Sequence, residues 1–157
     1  MPTEQEFSAL AQQYMDFVYR VALSCVRHPM DADDVTQNTM LRLCRAQVSF
    51  ESEAHVRHWL IRVTVNESKR LLTAPWRSQT VSLEELAAIL PAQPPEEREV
   101  LSAVLSLPKK YRLPLYLYYY EGYSVGEIAS LLKRKPSTVQ THLARGREQL
   151  KTMLKEE

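Results

Sequence analysis

The stretch from residue 121 to residue 150 constrains the fold of this chain most, because it has the pattern of two short helices joined by a tight turn. Ser124 and Glu127 stand three residues apart, which is the spacing of a capping box that begins a helix. Pro136 suits the first turn of the next helix, where its missing N–H leaves no bond unmade. The first helix then has apolar residues at helical spacing, namely Val125, Ile128, Ala129 and Leu132. Together these signals predict a helix-turn-helix.

The second helix of this motif has two chemically different sides. Its apolar side carries Val139, Leu143, Leu150 and Leu154. Its opposite side carries small and polar residues and an arginine, namely Ser137, Gln140, Thr141, Ala144 and Arg145. Short hydrogen-bonding side chains can approach base edges in the major groove of DNA, so this side is typical of a recognition helix. The alternative is an ordinary helical hairpin whose polar side faces only solvent.

Composition favours an all-α fold. The chain has 157 residues, enough for one ordinary domain or two small ones, and only three glycines. It has no glycine-rich phosphate loop and little of the turn chemistry of a sheet protein.

Cys25 and Cys44 lack the spacing of a metal or redox site, and we expect both to be small buried side chains in a reducing compartment. No apolar run is long enough for a membrane helix and the first residues are too polar for a signal peptide, so we expect a cytoplasmic protein.

Two small helical domains are predicted on either side of a proline-rich linker. Apolar periodicity predicts three helices in the first domain, and Asp31 is expected to cap the second of them. The linker holds four of the nine prolines and one short apolar turn, from Leu86 to Leu90, that is expected to be helical. In the second domain, Pro114 is expected to kink its helix or to mark a late start. The first domain, the linker and the second domain are residues 1–72, 73–98 and 99–157, and the first three helices are residues 4–27, 31–46 and 54–72.

The net charge of +1 combines two parts of opposite sign. Residues 1–98 hold ten Lys and Arg against thirteen Asp and Glu, a net charge of −3. Residues 99–157 hold ten against six, a net charge of +4. A basic excess alone often means only a solvated surface, but together with a polar recognition helix it supports contact with DNA phosphates.

Three segments of the chain carry a resemblance to a known family. Residues 31–46, DADDVTQNTMLRLCRA, resemble the polymerase-binding helix of bacterial RNA polymerase sigma factors. Residues 56–72, VRHWLIRVTVNESKRLL, resemble the adjoining promoter-melting helix. The family pattern of that helix is met by Trp59, Leu60, Arg62 and Asn66. Residues 105–150 resemble the sigma domain that binds the upstream promoter element. The arrangement of two domains is that of the extracytoplasmic-function (ECF) subfamily, and the resemblance covers nearly the whole chain.

The resemblance implies three sets of site residues. The first would dock on core RNA polymerase and comprises Asp33, Asp34, Gln37, Asn38, Leu41 and Arg42. The second would recognise and melt the minus-ten promoter element and comprises Phe50, Arg57, His58, Arg62, Asn66, Lys69 and Arg70. The third would recognise the minus-thirty-five element and comprises Lys133, Lys135, Ser137, Thr138, Gln140, Thr141, Arg145 and Arg147. No cofactor and no metal are implied.

Four residues depart from the usual pattern of the family. Glycine is usual at the position of Lys133, so a lysine there must accept either a strained backbone or a different turn. Arg134 stands where an apolar residue is common, Pro114 is unusual within its helix, and Asn38 replaces a commonly acidic residue. These departures bear on promoter preference and affinity, and they leave the class of protein unchanged.

Several ring-bearing side chains have two interpretations. Phe50 either stacks on a promoter base or anchors its own loop to the core. Trp59 is expected in the core, since a large ring at a periodic apolar position is usually buried. His55 and His58 stand three residues apart and could form a metal-binding pair. No third ligand is near them in sequence, so a role facing DNA or solvent is favoured.

The resemblance implies a transcription initiation factor, and not an enzyme. Such a factor joins core RNA polymerase, binds promoter DNA and helps to open it, while the polymerase supplies the nucleotide chemistry. The resemblance also implies an anti-sigma factor as a partner, which could hold the chain at the membrane without inserting it. The alternative function is a stand-alone helix-turn-helix regulator. A small hydrolase or metalloenzyme would need a converging set of nucleophile, base or metal ligands, and the sequence shows none.

Overall fold

Seven α-helices make up the part of the chain that the computed structural model describes, which is the backbone of residues 2–73 and 95–155. Within these residues there is no strand, and the predicted all-α class is confirmed. The helices are α1 (Glu4–Val26), α2 (Pro29–Arg45), α3 (Glu53–Leu72), α4 (Pro95–Ser106), α5 (Lys109–Tyr119), α6 (Val125–Leu132) and α7 (Pro136–Lys155). The predicted short helix from Leu86 to Leu90 and most of the predicted linker lie outside the described residues.

The helices divide into two compact units, with α1 to α3 in the first and α4 to α7 in the second. In the first unit each helix contacts both of the others. Its core is built from apolar side chains at helical spacing, including Phe17, Val21, Leu43, Leu60 and Ile61. In the second unit α7 contacts α4, α5 and α6. The core there includes Leu105, Leu107, Leu115, Leu117, Ile128, Val139 and Leu143.

The start of α2 differs from the prediction. The helix begins at Pro29, its N-cap is His28 without a side-chain capping bond, and Asp31 lies within the first turn. The expectation that Asp31 is the cap is therefore wrong. Pro29 explains the earlier start, since its fixed φ suits the first helical position and it has no N–H to satisfy. The preceding helix ends at Val26, and its C-cap Arg27 has a left-handed φ of 63° and an N–H that donates to the Leu23 carbonyl.

The two cysteines are free, but they lie in different environments. Cys25 is buried, as predicted, in the core face of α1. Cys44 is exposed, so the prediction that both are buried is wrong. Cys44 directly follows the buried Leu43 on α2, and a helix turns the next residue through about 100° toward the polar side.

The helix α5 continues through Pro114, and the prediction of a late start is wrong. It begins at Lys109 and runs to Tyr119 with Pro114 in its interior. Seven consecutive residues of α5, from Tyr111 to Leu117, are buried. Burial of these side chains favours a continuous helix although the proline removes one backbone hydrogen bond.

Gly146 marks a close approach between α7 and α5. A Cβ atom added at Gly146 would lie 2.5 Å from Leu115 Cδ1 and 3.2 Å from Tyr111 Cβ. Both distances are shorter than ordinary carbon–carbon contacts, so a larger residue must displace α5 or its side chains. Glycine at this position therefore sets the distance between the two helices.

We predict that Gly146→Ala destabilises the protein by about 1–3 kcal/mol, the usual cost of overpacking a core. Gly126→Ala is the matched control, because the nearest atom to its added Cβ is Ser124 Oγ at 4.0 Å. The control should stabilise α6 by about 0.5–1 kcal/mol, since alanine loses less backbone entropy than glycine in a helix. Urea unfolding followed by circular dichroism measures both changes. Equal effects of the two substitutions would contradict the close approach at Gly146.

Candidate partner and nucleic-acid interfaces

The helix-turn-helix predicted from the sequence is present in the second unit. The side chain of Ser124 accepts a hydrogen bond from the Glu127 amide, and the Glu127 carboxylate accepts one from the Ser124 amide, each at 3.1 Å. This reciprocal pair is the capping box that begins α6. The core face of α6 buries Ile128, Ala129, Leu131 and Leu132.

The turn between α6 and α7 has a left-handed residue. Lys133 has φ 55° and ψ 48°, and its N–H donates to the Ala129 carbonyl. The next amide, that of Arg134, also donates to the Ala129 carbonyl at 2.9 Å. Of the two expected outcomes for a lysine at this position, the strained backbone is the one found. The left-handed conformation costs a residue with a Cβ about 1–2 kcal/mol.

The polar side of α7 is exposed along its length. Val139 and Leu143 are buried on the inner side, as predicted. The outer side consists of exposed residues, namely Ser137, Gln140, Thr141, Ala144 and Arg145. The Thr141 hydroxyl donates to the Ser137 carbonyl at 3.0 Å, which leaves its oxygen to act as an acceptor.

The other residues of the predicted minus-thirty-five set lie around this side of α7. Lys133 and Lys135 are exposed in the turn, and Thr138 is half-buried. Arg147 is exposed, and its guanidinium donates to the Tyr119 hydroxyl at 3.0 Å. Arg147 therefore links α7 to the end of α5, a contact that the sequence did not indicate.

Arg134 forms a second link from the turn to α5. Its guanidinium donates to the Lys110 carbonyl at 3.2 Å and lies 3.4 Å from His142 Nδ1 on α7. The His142 ring packs edge-on against Tyr111, with 5.6 Å between ring centroids. Burial lowers the pKa of His142 below its ordinary value, and the nearby cations of Arg134, Lys110 and Arg145 lower it further. A neutral imidazole can accept a hydrogen bond from Arg134.

The predicted polymerase-binding residues share one exposed face of α2, and we call this set the α2 face. Each of its members is exposed: Asp33, Asp34, Gln37, Asn38, Leu41 and Arg42. Leu41 is the apolar member of this set, and 52% of its surface is exposed. The Arg42 guanidinium pairs with the carboxylate of Glu67 on α3, which is only 6% exposed. Arg70 also pairs with Glu67, at 3.4 Å. The α2 face is thus joined to α3 through a buried carboxylate.

A groove of about 570 Å³ runs between α2 and α3 next to this face. Trp59 forms part of its wall and is only half-buried, so the prediction of a core position is wrong. Instead of entering the core, the ring packs edge-on against Phe50, in the loop between α2 and α3. Besides Trp59, the lining residues are Asn38, Leu41, Arg42, Arg45, Ala46, Val63, Glu67 and Arg70.

The predicted minus-ten residues fall into two groups. The first group is exposed on α3 at helical spacing, and it comprises Arg62, Asn66, Lys69 and Arg70. We call this group the α3 strip. The second group is half-buried, and it comprises Phe50, Arg57 and His58. Of the predicted minus-ten residues, the α3 strip therefore holds the exposed polar and basic side chains.

Phe50 and Arg57 make contacts within the first unit. The Phe50 ring packs edge-on against His55 and Trp59, with ring centroids 5.2 Å and 5.7 Å apart. These contacts favour the anchoring role over stacking on a base. The Arg57 guanidinium lies over the rings of Phe17 and Tyr14 on α1, at 5.0 Å and 5.6 Å. Arg57 therefore contributes to the packing of α3 on α1 through cation–π contacts.

His55 has a structural role in the same loop. Its Nδ1 accepts a hydrogen bond from the Glu51 amide at 3.1 Å, and its own amide donates to the Ser52 cap. Among the residues that the structure describes, no group of three or more His, Cys, Asp and Glu side chains could hold a metal ion. None of the helices within residues 2–73 and 95–155 is long and apolar enough to span a membrane.

Comparison with known proteins finds matches for both units. Residues 10–78 match the Sigma-70 region 2 family, and residues 97–150 match the Sigma-70, region 4 family. The chain is 32% identical to the ECF RNA polymerase sigma factor SigE of Mycolicibacterium smegmatis, over 98% of this chain and 62% of that protein. It is 30% identical to the ECF RNA polymerase sigma factor SigM of Mycobacterium tuberculosis, over 94% of this chain and 76% of that protein.

Two solved structures have a similar fold. One is the sigma factor RpoE from Bartonella quintana in complex with the anti-sigma factor NepR, with a TM-score of 0.76 and 20% identity over 96% of this chain and 98% of that chain. The other is CnrH in complex with the cytosolic domain of CnrY, with a TM-score of 0.69 and 23% identity over 99% of this chain and 91% of that chain.

We predict that Lys133→Gly stabilises the second unit by about 0.5–1 kcal/mol, because glycine adopts the left-handed conformation without the Cβ penalty. Lys133→Ala is the matched control, since it removes the same charge but keeps the Cβ. The control should be neutral or slightly destabilising. Thermal unfolding of the two variants and the parent measures the difference. If glycine and alanine give the same stability, the turn carries no backbone strain at this residue.

Proposed function

Because this chain belongs to the ECF sigma factors of RNA polymerase, we propose that it is a transcription initiation factor that binds core RNA polymerase and directs it to specific promoters. The observation that carries this proposal is the presence of two exposed polar faces, on α2 and on α7, in the units that match sigma regions 2 and 4. The polymerase supplies the nucleotide chemistry, and this chain supplies promoter recognition and opening. It works in the cytoplasm, at the nucleoid when it is active.

The α2 face is the surface that we assign to core polymerase. It combines carboxylates, amides, an arginine and the exposed Leu41, and such a mixture is more typical of a protein interface than of a solvated helix. Glu67 holds Arg42 in place, so the arginine is presented with little rotamer freedom. A side chain that is already ordered loses less entropy on binding.

The α3 strip is the surface that we assign to the opened minus-ten element. Two arginines, a lysine and an asparagine lie along one side of the helix, and a basic strip of this kind follows a single-stranded backbone. The nearby carboxylate of Glu67 is buried and paired with arginine, so it does not present a bare charge to the DNA. Phe50 acts indirectly by fixing the loop before α3 through its contacts with His55 and Trp59.

The polar side of α7 is the surface that we assign to the minus-thirty-five element. Gln140 and Arg145 have side chains suited to hydrogen bonds with base edges in the major groove. Lys133 and Lys135 lie in the turn that precedes α7, where they are placed for phosphate contact. Arg147 contributes by holding α7 to Tyr119 as well as by its charge.

An anti-sigma factor is the regulatory partner that we propose. The two similar sigma-fold structures each contain a bound partner, which for RpoE is the anti-sigma factor NepR. By analogy, a partner that covers the α2 face would prevent this chain from joining the polymerase. Such a partner could also hold the chain at the membrane surface.

Run-off transcription with purified core polymerase tests the proposed function directly. The full chain should support a transcript from a cognate promoter that core polymerase alone does not produce. A stand-alone helix-turn-helix regulator would instead bind duplex DNA without enabling core polymerase to transcribe from that promoter. Binding to duplex DNA without any effect on core polymerase would therefore reject the proposal in favour of that alternative.

We predict that the double substitution Asp34→Lys and Gln37→Lys weakens binding to core polymerase at least about tenfold, which corresponds to about 1.4 kcal/mol. Both residues are exposed, so the helix should keep its stability while its surface charge is reversed. The matched control is Gln12→Lys with Asp16→Lys, which makes the same change in charge on the exposed side of α1. Affinity for core polymerase is measured by fluorescence titration. Equal affinities of the two double variants would contradict the assignment of the α2 face.

We predict that Gln140→Ala and Arg145→Ala each reduce discrimination between promoter and scrambled duplexes, by about 1–3 kcal/mol for a lost base contact. Lys135→Ala should instead weaken binding to both duplexes similarly and reduce the salt dependence, as expected for a phosphate contact. Lys151→Ala, an exposed change near the far end of α7, is the control. Binding of holoenzyme to duplexes that vary in the minus-thirty-five element gives the values. Unchanged discrimination in both alanine variants would show that the recognition side is wrongly assigned.

A further inference from the structure

Pro114 leaves one carbonyl of α5 without its usual backbone partner. In an α-helix each carbonyl accepts a hydrogen bond from the amide four residues later, so the partner of the Lys110 carbonyl would be the amide of residue 114. That residue is a proline and has no N–H. The helix nevertheless runs without interruption from Lys109 to Tyr119.

The guanidinium of Arg134 takes the position of the missing donor. It donates to the Lys110 carbonyl at 3.2 Å, from the turn of the helix-turn-helix and 24 residues further along the chain. A charged donor makes a stronger hydrogen bond to a carbonyl than a neutral amide does. The bond thus satisfies the carbonyl and at the same time attaches the turn to α5.

The same guanidinium faces the recognition helix. It lies 3.4 Å from His142 Nδ1, and the His142 ring packs edge-on against Tyr111 of α5. The cations around His142, which are Arg134, Lys110 and Arg145, disfavour its protonation, as does its burial. Arg134 therefore connects α5, the turn and α7. Near neutral pH its guanidinium is the donor, and the Lys110 carbonyl and the neutral His142 ring are the acceptors.

We propose that Arg134 is a positioning residue for promoter recognition, which replaces the amide that Pro114 removes and thereby sets the start of α7 against α5. Pro114 and Arg134 then form one functional pair, and each compensates for what is unusual in the other. The polar side of α7 owes its orientation to this bond and to the close approach at Gly146. The effect on DNA rests on the proposed function, whereas the pairing of Arg134 with Pro114 does not.

A double-mutant cycle on the full chain tests the pairing. The four proteins are the parent, Arg134→Met, Pro114→Ala and the double variant, since methionine keeps the length of the arginine stem but has no donor. Alanine at residue 114 restores an amide that can bind the Lys110 carbonyl. Arg134→Met should lower the midpoint of thermal unfolding in the parent, and it should lower it much less in the Pro114→Ala background. An equal loss in both backgrounds would overturn the pairing.

Promoter binding by the reconstituted holoenzyme tests the positioning role. Arg134→Met should weaken binding to a promoter duplex by at least about fivefold, in line with the loss of a hydrogen bond that involves a charged group. The salt dependence of binding should stay unchanged, and Pro114→Ala should restore most of the affinity. Arg134→Lys, which keeps one donor for the Lys110 carbonyl, should retain more affinity than the methionine variant.

A direct phosphate contact by Arg134 predicts a different result. In that case Arg134→Met would reduce the slope of log affinity against log salt by about one, and Pro114→Ala would restore nothing. That combination would overturn the positioning role.

If parent holoenzyme failed to distinguish promoter from scrambled DNA, the proposed function would fail, while the unfolding cycle would still decide the pairing. If the parent recognised promoters but the cycle showed no coupling, only the inference about Arg134 would fail.

Discussion

Burial of one apolar stripe on each helix holds both units together, and it decides which side chains remain for partners. Each unit has only three or four described helices, and most of the side chains that they bury are apolar, as a small core requires. On α2 the buried Val35 and Leu43 leave the α2 face outward. On α7 the buried Val139 and Leu143 leave the polar side outward. The proposed interfaces are therefore the helix sides that lie opposite the two cores. If different residues of these helices faced the cores, both interfaces would change.

Several arginines make contacts that join one helix to another. Arg57 joins α3 to α1 through two aromatic rings, and Arg42 joins α2 to α3 through the buried Glu67. In the second unit Arg147 joins α7 to Tyr119, and the buried Arg112 donates to the Leu107 carbonyl at 3.1 Å. A guanidinium suits this task because its long stem adds apolar contact while its planar head donates several bonds. A basic residue in a DNA-binding protein thus cannot be counted as a DNA contact from its charge alone.

The turn of the helix-turn-helix and the neighbouring α5 each contain one feature that is unfavourable in isolation. Lys133 adopts a left-handed backbone, and Pro114 interrupts the hydrogen bonding of the neighbouring α5. Local rules are usually broken where the surrounding structure compensates or where function requires it. Here the compensation comes from the capping box of α6, the amide of Arg134 on the Ala129 carbonyl and the guanidinium of Arg134 on the Lys110 carbonyl. The recognition helix is held at its start by these bonds and further along by the contact at Gly146.

The sequence by itself determined the features that depend on residues within about one helical turn of each other. These are the positions of most helices, the capping box of Ser124 and Glu127, and the exposed sides of α2 and α7, because caps and periodicity act along a single helix. The family resemblance placed both units in the correct order, as the matches to sigma regions 2 and 4 bear out.

The tertiary structure decided the features that depend on which elements become neighbours. The half-buried position of Trp59 and the anchoring of Phe50 follow from how α2, α3 and their loop pack, and no local pattern carries that information. The bond from Arg134 to the Lys110 carbonyl joins residues 24 positions apart. Such contacts form only when the core brings their helices together, so periodicity, which records a side chain's direction but not its partner, could not reveal them.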